Sequence, residues 1–234
     1  MAKKKSSALM TPGEQIAGTV FFMIYLLVLP FAAGPLFRLA GKLLGITFSR
    51  TLESVVTYYL LFAVSILIFH RYLARTSTSL AERLGEAGKS LGLGLVAFYG
   101  LNELVFRVGG LFTESRVHLN DYPISAQIQG PPHMTLLIVL LLLAPFVEEV
   151  LFRGLVFGNL RSKSRVGAYA ASCLLFALLH VWQFAVAGQD GASFLLMLQY
   201  LVPGVVLAWV YERSGTLWTA IALHAGVNAL SVWT

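Results

Sequence analysis

Cysteine is all but missing: Cys173 is the single one in 234 residues, so no intrachain disulfide can brace the chain, and its compartment cannot be read from redox chemistry. Charge is scarce as well. Asp, Glu, Lys and Arg make up 12% of the sequence against 57% hydrophobic residues, about half of the roughly 25% charged content of a soluble domain. That deficit fits a chain whose lateral surface faces lipid. The basic excess of +6 does not form a nucleic-acid patch. It sits in short clusters between apolar runs, at Lys3, Lys4 and Lys5, at Arg71, Arg75, Arg83 and Lys89, and at Arg161, Lys163 and Arg165. Charges placed this way orient helices and meet anionic headgroups, so a lipid bilayer is the expected partner and no nucleic acid is.

What the chain does have is apolar runs of spanning length, each about 20 residues. Seven are found: Ile16–Phe37, Ser54–Leu73, Leu91–Phe112, Thr135–Leu160, Val166–Val186, Ser193–Tyr211 and Thr216–Trp233. The first, at about 22 residues, exceeds the 7–15 of a signal-peptide core and is read as a span. The expected fold is all-α, a polytopic transmembrane helical bundle of about seven spans. Residues 1–133 form a three-span N-terminal region with an outer loop, and residues 134–234 a four-span core that carries the chemistry. Loop charge predicts a cytoplasmic-membrane protein with its N-terminus inside and C-terminus outside; the linker with Arg38, Lys42 and Arg50 disagrees. Trp209, Trp218, Trp182 and Trp233 fall near span ends like an aromatic belt.

The fourth span is interrupted by Glu148, Glu149 and Arg153. A charge at a helix centre costs about 2.5–3.5 kcal/mol on insertion scales, so three would remove most of this helix's insertion advantage unless they face protein or water. Glu149 and Arg153, four apart, share a face and can pair. Glu148 points about 100° away. The fifth span carries His180, and the seventh carries His224 and Asn228, again four apart. Counting about 1.5 Å per residue from the inner ends puts Glu148 at roughly 18 Å depth, His180 at roughly 21 Å, and His224 and Asn228 at roughly 12 and 18 Å. Four polar groups on three helices converge on one layer.

Glu148-Glu149-Val150-Leu151-Phe152-Arg153 matches the EExxxR motif, Phe176–His180 the FxxxH motif and His224–Asn228 the HxxxN motif of the CAAX protease and bacteriocin-processing (CPBP, or Abi) family of intramembrane proteases. Tyr211 to Trp218 resembles that family's link into its last helix. The resemblance runs from about Thr135 to Thr234; the first three spans carry no such motif.

Peptide hydrolysis needs an activated water, donors for the oxyanion and a proton for the leaving amine. Glu148 is the expected general base, because a buried carboxylate is a stronger base than a solvated one. His180 shares the water and passes a proton on, while His224 and Asn228 offer donors to the oxyanion. Glu149 and Arg153 support the motif helix. The resemblance implies the same division of roles and a membrane-associated substrate, such as a prenylated CaaX protein or another lipidated or membrane peptide. No cofactor is required on this reading. Glu148, His180 and His224 would also make a zinc set, but Asn228 is a better amide donor than zinc ligand.

Taken singly, each group has a plainer role: a Glu–Arg clamp, or an interhelical hydrogen bond. Phe176 reads as packing. Glu103 and Arg107 echo the hexapeptide's spacing without its first carboxylate and read as an ion pair lining the bundle. His70, His118 and His133 read as solvated, and Gly92, Gly94 and Gly100 as close-packing positions. Rival functions are a proton-coupled transporter, since intramembrane Glu, His and Arg also build proton relays, and a silent scaffold or immunity protein.

Overall fold

The computed structural model describes residues 10–109, 134–188 and 196–233. The loops expected around His118, His133 and Asp190, and the N-terminal lysines, lie outside the described residues, as do the side chains of Trp182 and Trp233. Among the described residues there is no strand, and the helices fall into seven: α1 (Pro12–Leu44), α2 (Arg50–Glu82), α3 (Leu84–Gly109), α4 (134–161), α5 (Arg165–Gly188), α6 (Leu196–Ser214) and α7 (Leu217–Trp233). The all-α expectation holds. Of the spans, α1 and α2 are long and apolar enough to cross a membrane, while Arg165–Val181 and Leu217–Val232 are shorter apolar helices.

Local chemistry sets the helix ends. Thr11 and Glu14 form a reciprocal capping box at α1, with Pro12 in the first turn, where its missing N–H has no partner to lose. Gly45 ends α1 at φ +68°, a conformation glycine adopts without strain. α2 is kinked at Phe69 (φ −103°, ψ 16°). The backbone N–H of Tyr72, just past this kink, donates to Glu14 Oε1 at 2.6 Å. Glu14 Oε2 also accepts from Arg75 at 3.0 Å, so one carboxylate from α1 pins the kink of α2.

α4 is the hub. It packs against α1, α2, α5, α6 and α7, and from Leu143 to Leu155 every residue is buried. A helix covered on all faces can afford no unpaired backbone group, and α4 has two π-helical segments, Val139–Leu143 and Val150–Phe157. The first runs into Pro145. In its register the Ala144 N–H reaches Val139 O, so the next carbonyl, Leu140, faces a proline with no N–H. α1 shows the same arrangement: a π turn at Ile24–Val28 leads into Pro30, with the Leu29 N–H on Ile24 O.

The link from α6 to α7 is sewn to α2. Gly215 takes φ +71°, and a Cβ there would lie 2.5 Å from Arg83 Nη1. Leu217 N–H donates to Thr76 Oγ1 at 2.8 Å, Thr216 Oγ1 donates to Thr76 O at 3.0 Å, and Trp218 Nε1 donates to Ser77 Oγ at 2.9 Å. Close packing holds at Gly94, where a Cβ would meet Val210 and Leu223 at 2.6 and 2.8 Å. It fails at Gly92 and Gly100, which have nothing within 4 Å; they face outward on α3.

Glu212, at the end of α6, gathers Arg161, Arg165 (2.9 Å) and the Tyr169 hydroxyl (2.9 Å), closing the α4–α5 turn onto α6. Burial pushes its carboxyl up, but the bonds from Tyr169, Arg165 and Arg161 outweigh this and hold it below the ordinary carboxylate range. A depressed folded-state value means the stabilisation is present above the unfolded carboxylate range and is lost as pH falls through the folded value. Glu212→Gln should therefore lower the melting temperature in detergent by a few degrees at pH 7, for a loss of about 1 kcal/mol, and the deficit should shrink below about pH 4. An equal deficit at both pH values would count against the carboxylate's role.

Candidate active site

Of the two adjacent glutamates of α4, Glu149 is engaged through one oxygen, Oε1, while its Oε2 is buried without a hydrogen-bond partner. With no exposed surface, it accepts from Arg153 Nη1 at 2.8 Å, and Arg153 is equally buried. The same oxygen, Oε1, accepts from His224 Nδ1 at 2.8 Å. Arg153 Nη2 donates to Gly204 O at 3.2 Å, and its guanidinium lies 4.5 Å from the centre of the Phe176 ring. The expected Glu149–Arg153 pair is thus present, and it does more than clamp one helix: it ties α4 to α5, α6 and α7. The contact with His224 was not legible in the sequence, since Glu149 and His224 lie on α4 and α7 with two helices between them.

Glu148 is buried too, and its Oε2 likewise has no hydrogen-bond partner; what sets it apart is that it faces the cavity. The His180 Nε2 lies 3.8 Å from it and the His224 Nε2 4.0 Å. Both are too long for a hydrogen bond and right for one bridging water, which needs about 2.8 Å to each neighbour. The ring tautomers follow from the far sides. His180 Nδ1 lies 2.9 Å from Phe176 O, and a carbonyl only accepts, so Nδ1 carries the proton and Nε2 presents its lone pair toward Glu148. His224 likewise donates its Nδ1–H to Glu149. The predicted convergence of Glu148, His180 and His224 on one layer is what the structure places there.

Asn228 is on the cavity wall as well, but its amide is partly committed. Nδ2 donates to Leu140 O at 2.9 Å, the carbonyl that Pro145 leaves without a partner. One N–H of Asn228 therefore completes the backbone of α4, and one remains. Phe176 is packed, as expected: it meets the His180 ring at 4.5 Å and the His224 ring edge-on at 6.0 Å, forming the floor of the site.

These groups open onto a cavity of about 230 Å³. Its other walls include Ser54 and Tyr58 of α2, Phe98 of α3, Leu136 and Val139 of α4, and Tyr200 of α6. Tyr58, Phe98 and Tyr200 carry no motif signal, and the sequence reading missed all three. For a metal the fit is poor as placed. Adjacent ligand atoms on tetrahedral zinc, with bonds near 2.0–2.1 Å, sit about 3.3 Å apart, closer than the 3.8 and 4.0 Å found here. Among the described residues no three His, Cys, Asp or Glu side chains are grouped closely enough to hold one.

One expectation is corrected. Glu103 and Arg107 do pair, at 2.7 Å, but with 50% and 76% of their side chains exposed; they do not line the bundle. The face of α3 that packs against α6 and α7 carries Gly94 and Phe98, and Glu103 and Arg107 lie off that face. His70 is exposed, as expected.

An all-helical chain with a buried, unpartnered carboxylate between two oriented imidazoles has the makings of a hydrolase. Residues 130–230 match the family model of "Type II CAAX prenyl endopeptidase Rce1-like" proteins. That region carries all three motifs. Among curated proteins, the chain is 32% identical over 90 residues to "UPF0177 protein YxdF" of Lactococcus lactis subsp. lactis (strain IL1403), covering 38% of this chain and 44% of that one. It is 29% identical over 128 residues to "Putative membrane peptidase YdiL" of Bacillus subtilis (strain 168), covering 54% of this chain and 46% of that one. The matched stretch is less than half of each relative's length. No solved structure matches.

Two stability tests follow. Arg153→Met leaves Glu149 buried with a lost cation, a loss of about 3–5 kcal/mol, and should give protein that aggregates or melts far below wild type. Asn228→Ala orphans Leu140 O at about 1–3 kcal/mol. Asn228→Asp, which sets acceptor against acceptor, should melt lower still; an Asp variant as stable as wild type would disprove the bond to Leu140.

Proposed function

We propose that this chain is an intramembrane endopeptidase that hydrolyses a peptide bond of a membrane-associated substrate, of the prenylated CaaX type or another lipidated or membrane-anchored peptide. The observation that carries this reading is Glu148 Oε2, buried without a hydrogen bond and within 4.0 Å of two imidazole Nε2 atoms at the wall of a cavity of about 230 Å³. The bundle spans the membrane about seven times, with its N-terminus inside.

In this mechanism a water sits between Glu148 and the His180 Nε2. Glu148 takes its proton as the oxygen attacks the scissile carbonyl, and His180 holds the water in line through its lone pair. The tetrahedral oxyanion forms beside His224 and Asn228: the free N–H of Asn228 is one donor, and His224 becomes a second once its Nε2 takes up a proton. The proton on Glu148 then passes to the leaving amine, directly or through His180, and the C–N bond breaks. Glu149 fixes the His224 ring and, with Arg153, balances its charge. No metal is required; if one were bound, Glu148, His180 and His224 would hold it.

The experiment is cleavage of a membrane-peptide library, farnesylated CaaX peptides included, by purified protein in detergent or liposomes. Glu148→Ala and His180→Ala should each lower the rate at least a hundredfold. Retained cleavage in both variants would sink the mechanism. Chelation should leave activity unchanged; loss on chelation with rescue by zinc would replace the water-only mechanism with a metal-dependent one.

A further inference from the structure

The proposed site is short of hydrogen-bond donors. His180 spends its Nδ1–H on Phe176 O, His224 spends its own on Glu149, and Asn228 gives one amide hydrogen to Leu140 O. A developing oxyanion in a water-poor cavity is stabilised by preorganised donors aimed at it, and removing one such donor elsewhere costs about a hundred- to a thousandfold in kcat.

Tyr200 on α6 can supply the missing one. Its side chain lines the same cavity as Glu148, His180, His224 and Asn228. Its ring stacks on the His180 imidazole, with centroids 4.7 Å apart and planes at 25°. Its hydroxyl is buried and has no hydrogen-bond partner. The placement is enforced by the backbone. Gly204, one turn along α6, lets α6 come so close to α5 that a Cβ would lie 3.3 Å from Cys173 Cα. Two turns along α5 from Cys173 is His180, so Tyr200 and His180 meet where the two close-packed helices continue toward the cavity. A phenol stays protonated at neutral pH and makes its strongest bonds to anions. A buried O–H left unsatisfied at rest costs about 1–3 kcal/mol, a cost that a substrate oxyanion would relieve.

We propose that the Tyr200 hydroxyl is a catalytic hydrogen-bond donor to the substrate's carbonyl oxygen as it becomes an oxyanion, alongside His224 and Asn228. This rests on the endopeptidase reading above, and Tyr200 lies in none of the three motifs.

Tyr200→Phe keeps the stack on His180 and removes only the O–H. Its kinetics are measured on the library peptide that wild type cleaves fastest, beside Glu148→Ala, with melting temperatures for each. The expected result is kcat down by about tenfold to a thousandfold, KM within about twofold, and a melting temperature equal to or above that of wild type, since an unpartnered hydroxyl has been removed. With Glu148→Ala inactive, a Tyr200→Phe enzyme within threefold of wild type would overturn the proposal while leaving the endopeptidase reading intact. So would full activity in Tyr200→Phe with loss in Tyr200→Leu, which would assign Tyr200 to ring packing alone. A melting temperature lowered by several degrees in Tyr200→Phe would show the hydroxyl already bonded in the resting protein, and the proposal would fall. Cleavage of no peptide by wild type would remove the reading and the proposal together.

Discussion

Arg153 is the largest side chain with no exposed surface, and the placing of the other polar groups follows from how its charge is satisfied. A guanidinium taken out of water loses several kcal/mol of solvation unless it is paired and hydrogen-bonded. Here the compensation comes from four helices. Glu149 on α4 takes one nitrogen and the Gly204 carbonyl on α6 another, while the Phe176 face on α5 covers the plane. Glu149 in turn holds His224 on α7. A charge that needs partners from α4, α5, α6 and α7 at once fixes their relative rotation in a way that apolar packing, which tolerates sliding, does not. The site's geometry is thus a by-product of neutralising one buried cation.

The same accounting applies to the backbone. Prolines inside helices usually leave a carbonyl without its donor, and within a buried helix water is not there to take it. α4 meets this with a π turn ahead of Pro145 and with the Asn228 amide on Leu140 O. Asn228 is therefore bound to α4 for a structural reason before any catalytic one, and that bond is what sets its remaining N–H at the cavity wall. The kink in α2 is handled similarly by Glu14, which accepts the Tyr72 N–H.

The sequence showed the helical class and the depth-matched polar layer because both are periodic: apolar runs set the helices, and 1.5 Å per residue sets the depth. Glu149–Arg153 was legible because four residues is one turn. Contacts between helices far apart in sequence were not. Nothing in a single chain says which face of α7 meets α4, so His224 on Glu149 and Asn228 on Leu140 could not be read. Nor could the outward turn of Glu103 and Arg107, since a charged pair on an apolar helix reads inward by default. The motif-free first half also hid its share of the site, in Tyr58 and Phe98 on the cavity wall, and Glu14, a buried carboxylate there, went unread.

Glu148 and Glu149 show how much a rotation of about 100° decides. The two are the same residue, adjacent and both buried. Glu149 binds a fixed cation and an imidazole N–H through Oε1 and is a structural anion. Glu148 faces a cavity and the lone-pair sides of two imidazoles, so the only partner its Oε2 can gain is one that brings its own protons. Water is such a partner. The hydrogen bond to Glu149 Oε1 holds the His224 ring so that its Nε2 points at Glu148, and the Phe176 carbonyl does the same for His180. A reactive carboxylate is thus kept in a membrane-like interior by surrounding it with groups whose other ends are already bonded.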